Sequence, residues 1–368
     1  MFRGRRIWSE PRCFERLGGG GDRLPERLDR PRAPARRRRQ VRQVGVRPAP
    51  AQGGRGQDHP AQGGHVSTVK PAVAPTSSVY AGVVTFNPDL KRLEENLASI
   101  VPQVEKTLLF DNGSTNFKQI ATLVETRCAS CDLFDGKDNR GLAYALNRLC
   151  RQAADEGAGS ILLLDQDSVA GVGMVASMLP YREGNTAIVS PIIIDRNIPE
   201  EPNSEFSSKT VKRAITSGSL VDLDAFAMVG GFDERLFVDW VDFDFCANLR
   251  RNGFEIVKTS QASLLHEMGK RTYAFKIPWI DKSGRIVAKA CYRTNHATSR
   301  RIDKARSWAI VMEKYRQTKV GRDERRFIAL NFLRDLCLEK GKAGVVSATL
   351  SGMRDGRRAV RHSERKIG

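Results

Sequence analysis

Ser160-Ile161-Leu162-Leu163-Leu164-Asp165-Gln166-Asp167-Ser168 is a short apolar run that ends in two carboxylates two residues apart. Four large aliphatic residues between polar neighbours have the length of a buried strand rather than of a helix. Alternate residues of an extended chain share a face, so Asp165 and Asp167 would emerge from a sheet edge on the same side.

Upstream, Val79-Tyr80-Ala81-Gly82-Val83-Val84-Thr85-Phe86 is a second β-branched and apolar run, closed by Asn87-Pro88-Asp89. It reads as a buried strand and a turn. Leu93, Leu97 and Ile100 then fall at helical spacing over residues 90–101, and residues 106–110 form another apolar run that stops at Asp111-Asn112-Gly113-Ser114. A helix over 117–128, a weak strand over 131–134 and a helix over 142–156 lead back to Ser160. Strands alternating with helices predict an α/β fold: a mostly parallel sheet with flanking helices on both faces. Ligands of such sheets sit beyond the carboxyl ends of the strands. Thr85-Phe86-Asn87, Asp111-Asn112-Gly113-Ser114 and Asp165-Gln166-Asp167-Ser168 all lie there.

Composition divides the chain of 368 residues into three. Residues 1–76 hold sixteen Arg and one Lys against six acids, with much Pro and Gly and Pro-Ala-Gln-Gly-Gly repeated at 50–54 and 60–64. Too few large apolar residues are present to offset the entropy of ordering such a segment. It is expected to be a disordered leader, and it would equally fit translated upstream DNA with the start between Val66 and Val79. Residues 77–292 form the expected catalytic domain, and 293–368 a basic helical C-terminal region. The formal net charge of +19 resides in the ends: +11 in the leader, +12 in the tail and −4 between them. A compact nucleic-acid reader would carry its basic stripe on the folded domain, so no nucleic-acid partner is expected.

The seven cysteines are scattered. Cys128-Ala129-Ser130-Cys131 makes a C-x-x-C without the second pair of a zinc site, which reads as a structural pair in a reduced, cytosolic protein. Apolar stretches fall far short of the ~20 residues a membrane-spanning helix needs.

Several constellations suit chemistry. Asp165 and Asp167 can hold Mg2+ or Mn2+ while a diphosphate supplies further oxygens, or they can close an Asp-rich turn. Asp111 could accept the imide N–H of a pyrimidine ring, although Asn-Gly is also a common turn pair. Asn139-Arg140-Gly141-Leu142-Ala143-Tyr144-Ala145-Leu146-Asn147 opens a helix with Gly and small residues, as either a backbone beside a ligand or close helix–sheet packing would require. Asp239, Asp242 and Asp244 crowd a bulky apolar segment, where carboxylates are costly unless solvated, paired or used. At the start of a helix one of them suits a general base, or an N-cap.

Taken in order, Val-Val-Thr-Phe-Asn-Pro-Asp, Asp-Asn-Gly-Ser, Asn-x-Gly-x-Ala-x-Ala-x-Asn, Leu-Asp-Gln-Asp-Ser, Thr-Ser-Gly-Ser-Leu and Gly-Gly-Phe-Asp-Glu resemble the family 2 glycosyltransferases, and within them the bacterial rhamnosyltransferases. The resemblance covers roughly residues 79–270, with a looser echo at 352–356. It implies a GT-A nucleotide-diphospho-sugar transferase (Rossmann-like) fold and inverting transfer from a nucleoside-diphosphate sugar, rhamnose from dTDP-rhamnose being favoured, to a hydroxyl of a cell-surface polysaccharide or lipid-linked glycan. It also implies Asp111 near the base, Asp165 and Asp167 near metal and diphosphate with Asp167 the direct ligand, and Asp242 as general base. Thr85, Asn87, Asn139, Gly141 and Gly218 would line the nucleotide-sugar site, with the hydroxyls of residues 216–220 toward the acceptor. His266 falls where relatives place a histidine near the metal. Where many members have Glu-Asp at the catalytic helix, this chain has Val241-Asp242, as rhamnosyltransferase-like members do.

Beyond Ile286 the chain reads as helices, with Trp308, Ile310, Val311 and Tyr315 among many Arg and Lys. Such helices could rest on an anionic bilayer at the inner face of the cell membrane, or form a soluble subdomain with a cationic face. Two rivals predict other patterns. A haloacid-dehalogenase-like phosphatase would place its Asp-x-Asp early in the domain and follow it with Thr or Val, whereas Ser168 follows here. A nucleic-acid binder would leave three strand-end carboxylates facing phosphate.

Overall fold

The computed structural model describes residues 78–197, 206–267, 269, 272–280 and 284–367. The expected leader lies outside the described residues. In chain order the elements are β1 (Val79–Thr85), α1 (Leu90–Ile100), β2 (Lys106–Asp111), α2 (Phe117–Arg127), β3 (Cys131–Asp135), α3 (Leu142–Asp155), β4 (Ser160–Asp165), β5 (Val169–Ala170), α4 (Met174–Met178), β6 (Thr186–Asp195), β7 (Ser208–Thr210), β8 (Ser219–Asp222), α5 (Leu223–Met228), α6 (Val241–Arg251) and β9 (Glu255–His266). A hairpin, β10 (Thr272–Ile280) and β11 (Ile286–Arg293), precedes α7 (Thr298–Lys314), α8 (Lys319–Leu338) and α9 (Lys342–Ile367).

The main sheet runs β3-β2-β1-β4-β8-β6-β9-β5, with β7 also paired to β9. β3, β2, β1 and β4 are all parallel. Beyond β4 the sheet turns mixed: β8 is antiparallel to both β4 and β6, whereas β6 and β9 are parallel. Period-two alternation assigns each strand residue to one of two cores. Tyr80, Leu108, Phe110, Ile161 and Leu163 face α3 and α6. Val79, Ala81, Val83, Leu109, Leu162 and Leu164 face α1 and α2, meeting Leu93, Leu97, Ile100, Ile120 and Val124. Each fully buried Leu or Ile there contributes roughly 1.5–3 kcal/mol. Asp89 starts α1 by accepting the N–H groups of Lys91 and Arg92.

Three features depart from the sequence reading. Cys128 and Cys131, expected to be reduced, are joined in a disulfide between the end of α2 and the start of β3. Residues 286–293, read as the beginning of the helices, are instead the strand that pairs with 272–280. Gly284, two residues before that strand, has φ +79°, outside the helical region. Finally, Trp308, Ile310, Val311 and Tyr315 are buried in the same core as α3 and α6, so that apolar face of α7 is occupied by protein and is not offered to a bilayer. α9 lies tightly across α7, where Gly352 and Gly356 bring the two backbones together over Ile302 and Arg306.

Candidate active site

Parallel pairing sets Thr85 beside Asp111 and Val84 beside Asp165, so the ends of β1, β2 and β4 open into one cleft. Asp111 is fully buried. Its Oδ1 accepts the hydroxyls of Thr85 and Ser114, and its Oδ2 accepts the N–H groups of Gly113 and Ser114 at 3.1 and 2.8 Å. Three donors of its own turn and the Thr85 hydroxyl of β1 thus hold the carboxylate, and a pyrimidine N–H would be a fifth. Asn87, at φ +48°, clasps the same loop: its Oδ1 accepts both the N–H and hydroxyl of Thr115, and its own N–H donates to Ser114 Oγ. Asn139 Oδ1 accepts from Asn112 Nδ2 and from the N–H of Gly141.

Gly141 has a steric reason to be glycine. Its φ is +91°, and a Cβ would stand 2.8 Å from the Phe237 ring and 2.9 Å from the Phe237 carbonyl oxygen. The missing side chain is therefore required by close packing against the segment that leads to α6. The next N–H, of Leu142, donates to Phe237 O at 2.6 Å. Gly218 ends the loop before β8 and donates its N–H to Leu163 O.

Asp165, Asp167 and His266 come together although a hundred residues separate the first from the last. One ligand atom from each lies within 4.8 Å of the others. Pairing of β6 with β9 fixes His266 at the strand end, opposite Asp195. His266 Nδ1 is 3.6 Å from Asp167 Oδ1, and Nε2 is 3.9 Å from Asp165 Oδ2. Burial raises both aspartate pKa values, against the pull of the His266 charge. Asp167 Oδ1 is buried and has no hydrogen-bond partner. An orphaned carboxylate oxygen beside a second carboxylate and an imidazole fits a divalent cation, which would supply the missing positive charge.

Sequence reasoning missed what holds this cluster. Asn96 of α1, wholly buried, donates to the carbonyls of Asp165 and Ser168. Ser217 Oγ accepts the Asp165 N–H at 3.0 Å and lies 2.7 Å from Ser168 Oγ, which is 2.9 Å from His266 Nδ1. With Nδ1–H donated to Ser168, Nε2 is left as a ligand on the Asp165 side. The hydroxyl of Ser217, expected toward an acceptor, is instead part of this support. Gln166 bonds the Phe86 backbone through both ends of its amide, tying β1 to the same loop. The spacing of Asp-Gln-Asp-Ser carries no signal for partners so distant in sequence.

The three acids of residues 239–244 separate by environment. Asp239 meets Arg300 and Asp244 meets Lys314 at 2.7 Å, while among the described residues no cation pairs with Asp242. Trp240, in the left-handed region at φ +73°, caps α6 without a side-chain bond, and Asp242 accepts the Phe243 N–H at 2.8 Å. Burial first, opposed by that hydrogen bond and then reinforced by the charges of Asp165 and Asp239, pushes the Asp242 carboxyl up to about 7. A carboxylate that titrates near neutrality, within the field of Asp165, has the character of a general base.

Residues 80–246 match the family model described as glycosyl transferase family 2. The chain is 28% identical over 216 residues to the dTDP-rhamnosyl transferase RfbF of Shigella flexneri, covering 53% of this chain and 71% of that one. It is 22% identical over 205 residues to the low-salt glycan biosynthesis hexosyltransferase Agl10 of Haloferax volcanii, covering 47% and 62%. Among solved structures it is similar to the mannosyltransferase PcManGT of Pyrobaculum calidifontis in complex with GDP-Man and Mn2+, with 14% identity, a TM-score of 0.49, and coverage of 81% of this chain and 84% of that one. These likenesses, centred on residues 80–246, mark the chain as a glycosyltransferase similar to family 2, built on a large, mostly parallel sheet with flanking helices.

Proposed function

We propose that this glycosyltransferase moves a sugar, with inversion, from a nucleoside-diphosphate donor to a hydroxyl of a cell-surface polysaccharide or lipid-linked glycan, and that the donor is dTDP-rhamnose. The observation that carries the reading is the Asp165, Asp167 and His266 cluster, with its unpartnered Asp167 oxygen, in one cleft with the near-neutral Asp242. Similarity to a dTDP-rhamnosyl transferase supports the choice of sugar.

Asp165, Asp167 and His266 would hold Mg2+ or Mn2+, Asp167 as the direct carboxylate ligand. When bound, such an ion offsets charge on the departing diphosphate. Asn87, Asp111 and Asn139 shape the wall against which the nucleotide would lie, with Thr85 bracing Asp111. Asp242 takes the proton of the acceptor hydroxyl as its oxygen attacks the anomeric carbon on the face opposite the leaving diphosphate. A peripheral position at the inner face of the cell membrane would suit a lipid-linked acceptor. No described helix is long and apolar enough to cross a membrane.

A donor screen tests this: nucleoside-diphosphate release from dTDP-rhamnose, UDP-sugars and GDP-sugars, with Mn2+, Mg2+ or EDTA. Metal-dependent release from dTDP-rhamnose is expected. Release from a different donor would overturn the choice of sugar, and metal-independent release would overturn the role given to the cluster.

A further inference from the structure

β10 and β11 form a separate two-stranded antiparallel sheet. An isolated two-stranded hairpin is marginal in water without a third strand or a cover. Here the last two strand pairs before the connection are apolar on both faces. Trp279 stands opposite Val287 and Ile280 opposite Ile286, and these side chains are 50, 39, 67 and 77% exposed in that order. Scattered exposed apolar residues are ordinary, but a contiguous group marks an interaction site.

The root of the hairpin is fixed. Arg293 Nε donates to Leu338 O at 2.9 Å, and the N–H and hydroxyl of Thr294 both donate to Glu339 Oε1. α8, held at that root, itself exposes Leu330 and Leu333. Over residues 269–293 the sequence has seven Lys and Arg against the single Asp281. A basic segment with an indole and several aliphatic side chains on its last strand pairs matches the interfacial zone of an anionic membrane, where rings and aliphatic groups enter and cations meet lipid phosphate. A second copy would bring two strongly cationic hairpins face to face. A nucleic acid would satisfy the cations but leave Ile280 and Ile286 uncovered.

We propose that the β10–β11 hairpin docks this protein on an anionic lipid bilayer, with Trp279, Ile280, Ile286 and Val287 entering the headgroup boundary and Lys276 meeting lipid phosphates. Thr272 follows His266 by six residues, a span of at most about 20 Å of chain. Docking therefore holds the cleft near the surface from which a lipid-borne acceptor would be drawn. The docking itself does not depend on which sugar is transferred.

The test uses the full chain with vesicles of phosphatidylcholine alone or mixed with phosphatidylglycerol, their acyl chains brominated to quench tryptophan. Residues 1–76 can hold an anionic vesicle by charge alone, so depth is the decisive readout. Trp240 and Trp308 are buried in the protein, and Trp8 is common to every variant compared. Quenching by the anionic vesicles that falls in Trp279→Phe relative to wild type is expected. Flotation of Ile280→Ser/Ile286→Ser should weaken by about tenfold or more at high salt, where exposed-charge attraction is screened. Donor hydrolysis by that variant without vesicles should match wild type, which separates loss of docking from loss of the fold or failure of the donor assignment. Quenching unchanged by Trp279→Phe, or equal flotation of the two chains, would overturn the proposal. A dimer dissolved by the Ile substitutions, without quenching, would instead put a second copy on the hairpin and overturn it too.

Discussion

Asp242 and Asp244 are two residues apart on α6, yet their surroundings make them different groups. Asp244 is buried against Lys314, whereas Asp242 has its carboxyl pushed up to about 7, chiefly by burial. Two outcomes follow from that value. Sugar transfer by wild type should rise with pH until about 7, where the base becomes ionised, and Asp242→Asn should lower kcat by about a thousandfold at pH 8 with little change in donor affinity. The same substitution should stabilise the metal-free fold. A carboxyl with a folded pKa above its unfolded value of ~4 gives stability that is lost as pH rises through the folded value, and Asn does not ionise. Melting curves in EDTA should coincide near pH 4 and separate up to about pH 7, with Asp242→Asn the higher; equal curves at pH 8 would refute the perturbed base. At the metal cluster, Asp167→Ala should abolish the rise in melting temperature that Mn2+ gives wild type. Ser168→Ala, which removes the hydroxyl at His266 Nδ1, should weaken Mn2+ affinity by about tenfold or more in calorimetry.

α7 and α8 act as braces for α6. Lys314 Nζ bonds Asp233 and Asp244, and the Tyr315 hydroxyl donates to Asp244 O. On the other side, Arg213 and Arg250 converge on the buried Glu324 of α8. Removing one partner of a buried pair leaves an uncompensated charge, so Lys314→Met should cost about 3 kcal/mol in urea denaturation. Because Asp244 is held against burial mainly by Lys314, the variant should recover part of the loss when Asp244→Asn is added. Independent, additive losses in that double-mutant cycle would show that the pair does not couple the two helices. The element now read as β11 shows why its helical reading failed. Residues 286–293 have no apolar–polar alternation, and Lys289 and Arg293 stand four apart as on a helix, so the strand follows from its pairing with 272–280, which periodicity does not record.

The excess positive charge is carried by residues 1–76 and 293–368, while the cleft gathers carboxylates. RNA added at physiological salt should therefore leave donor hydrolysis unchanged, because its phosphates would be repelled from Asp165, Asp167 and Asp242 and screened elsewhere. Inhibition that competes with the donor would contradict this distribution of charge. The molecule also differs from a catalytic domain with an appended tail: Trp308 and Tyr315 are buried in the same core as α3 and α6, so helical segments far along the chain complete the hydrophobic interior next to the proposed base.

The sequence by itself determined the order of β1 through β4 and the helices between them, because burial on both faces writes period-two and helical patterns into adjacent residues. It also placed Thr85, Asp111 and Asp165 at strand ends, since each apolar run stops where the chain leaves the sheet. Which side chains converge was decided only in three dimensions. His266 reaches Asp165 and Asp167 through pairing of β9 with β6 and β5, Ser217 reaches them through the loop before β8, and Asn96 reaches them from α1. Register and crossover carry those contacts, and neither leaves a local spacing to read. Burial likewise decided that Asp111 serves its own turn and that Trp308 faces protein, because hydrophobic periodicity says that a face will be covered and leaves open what will cover it.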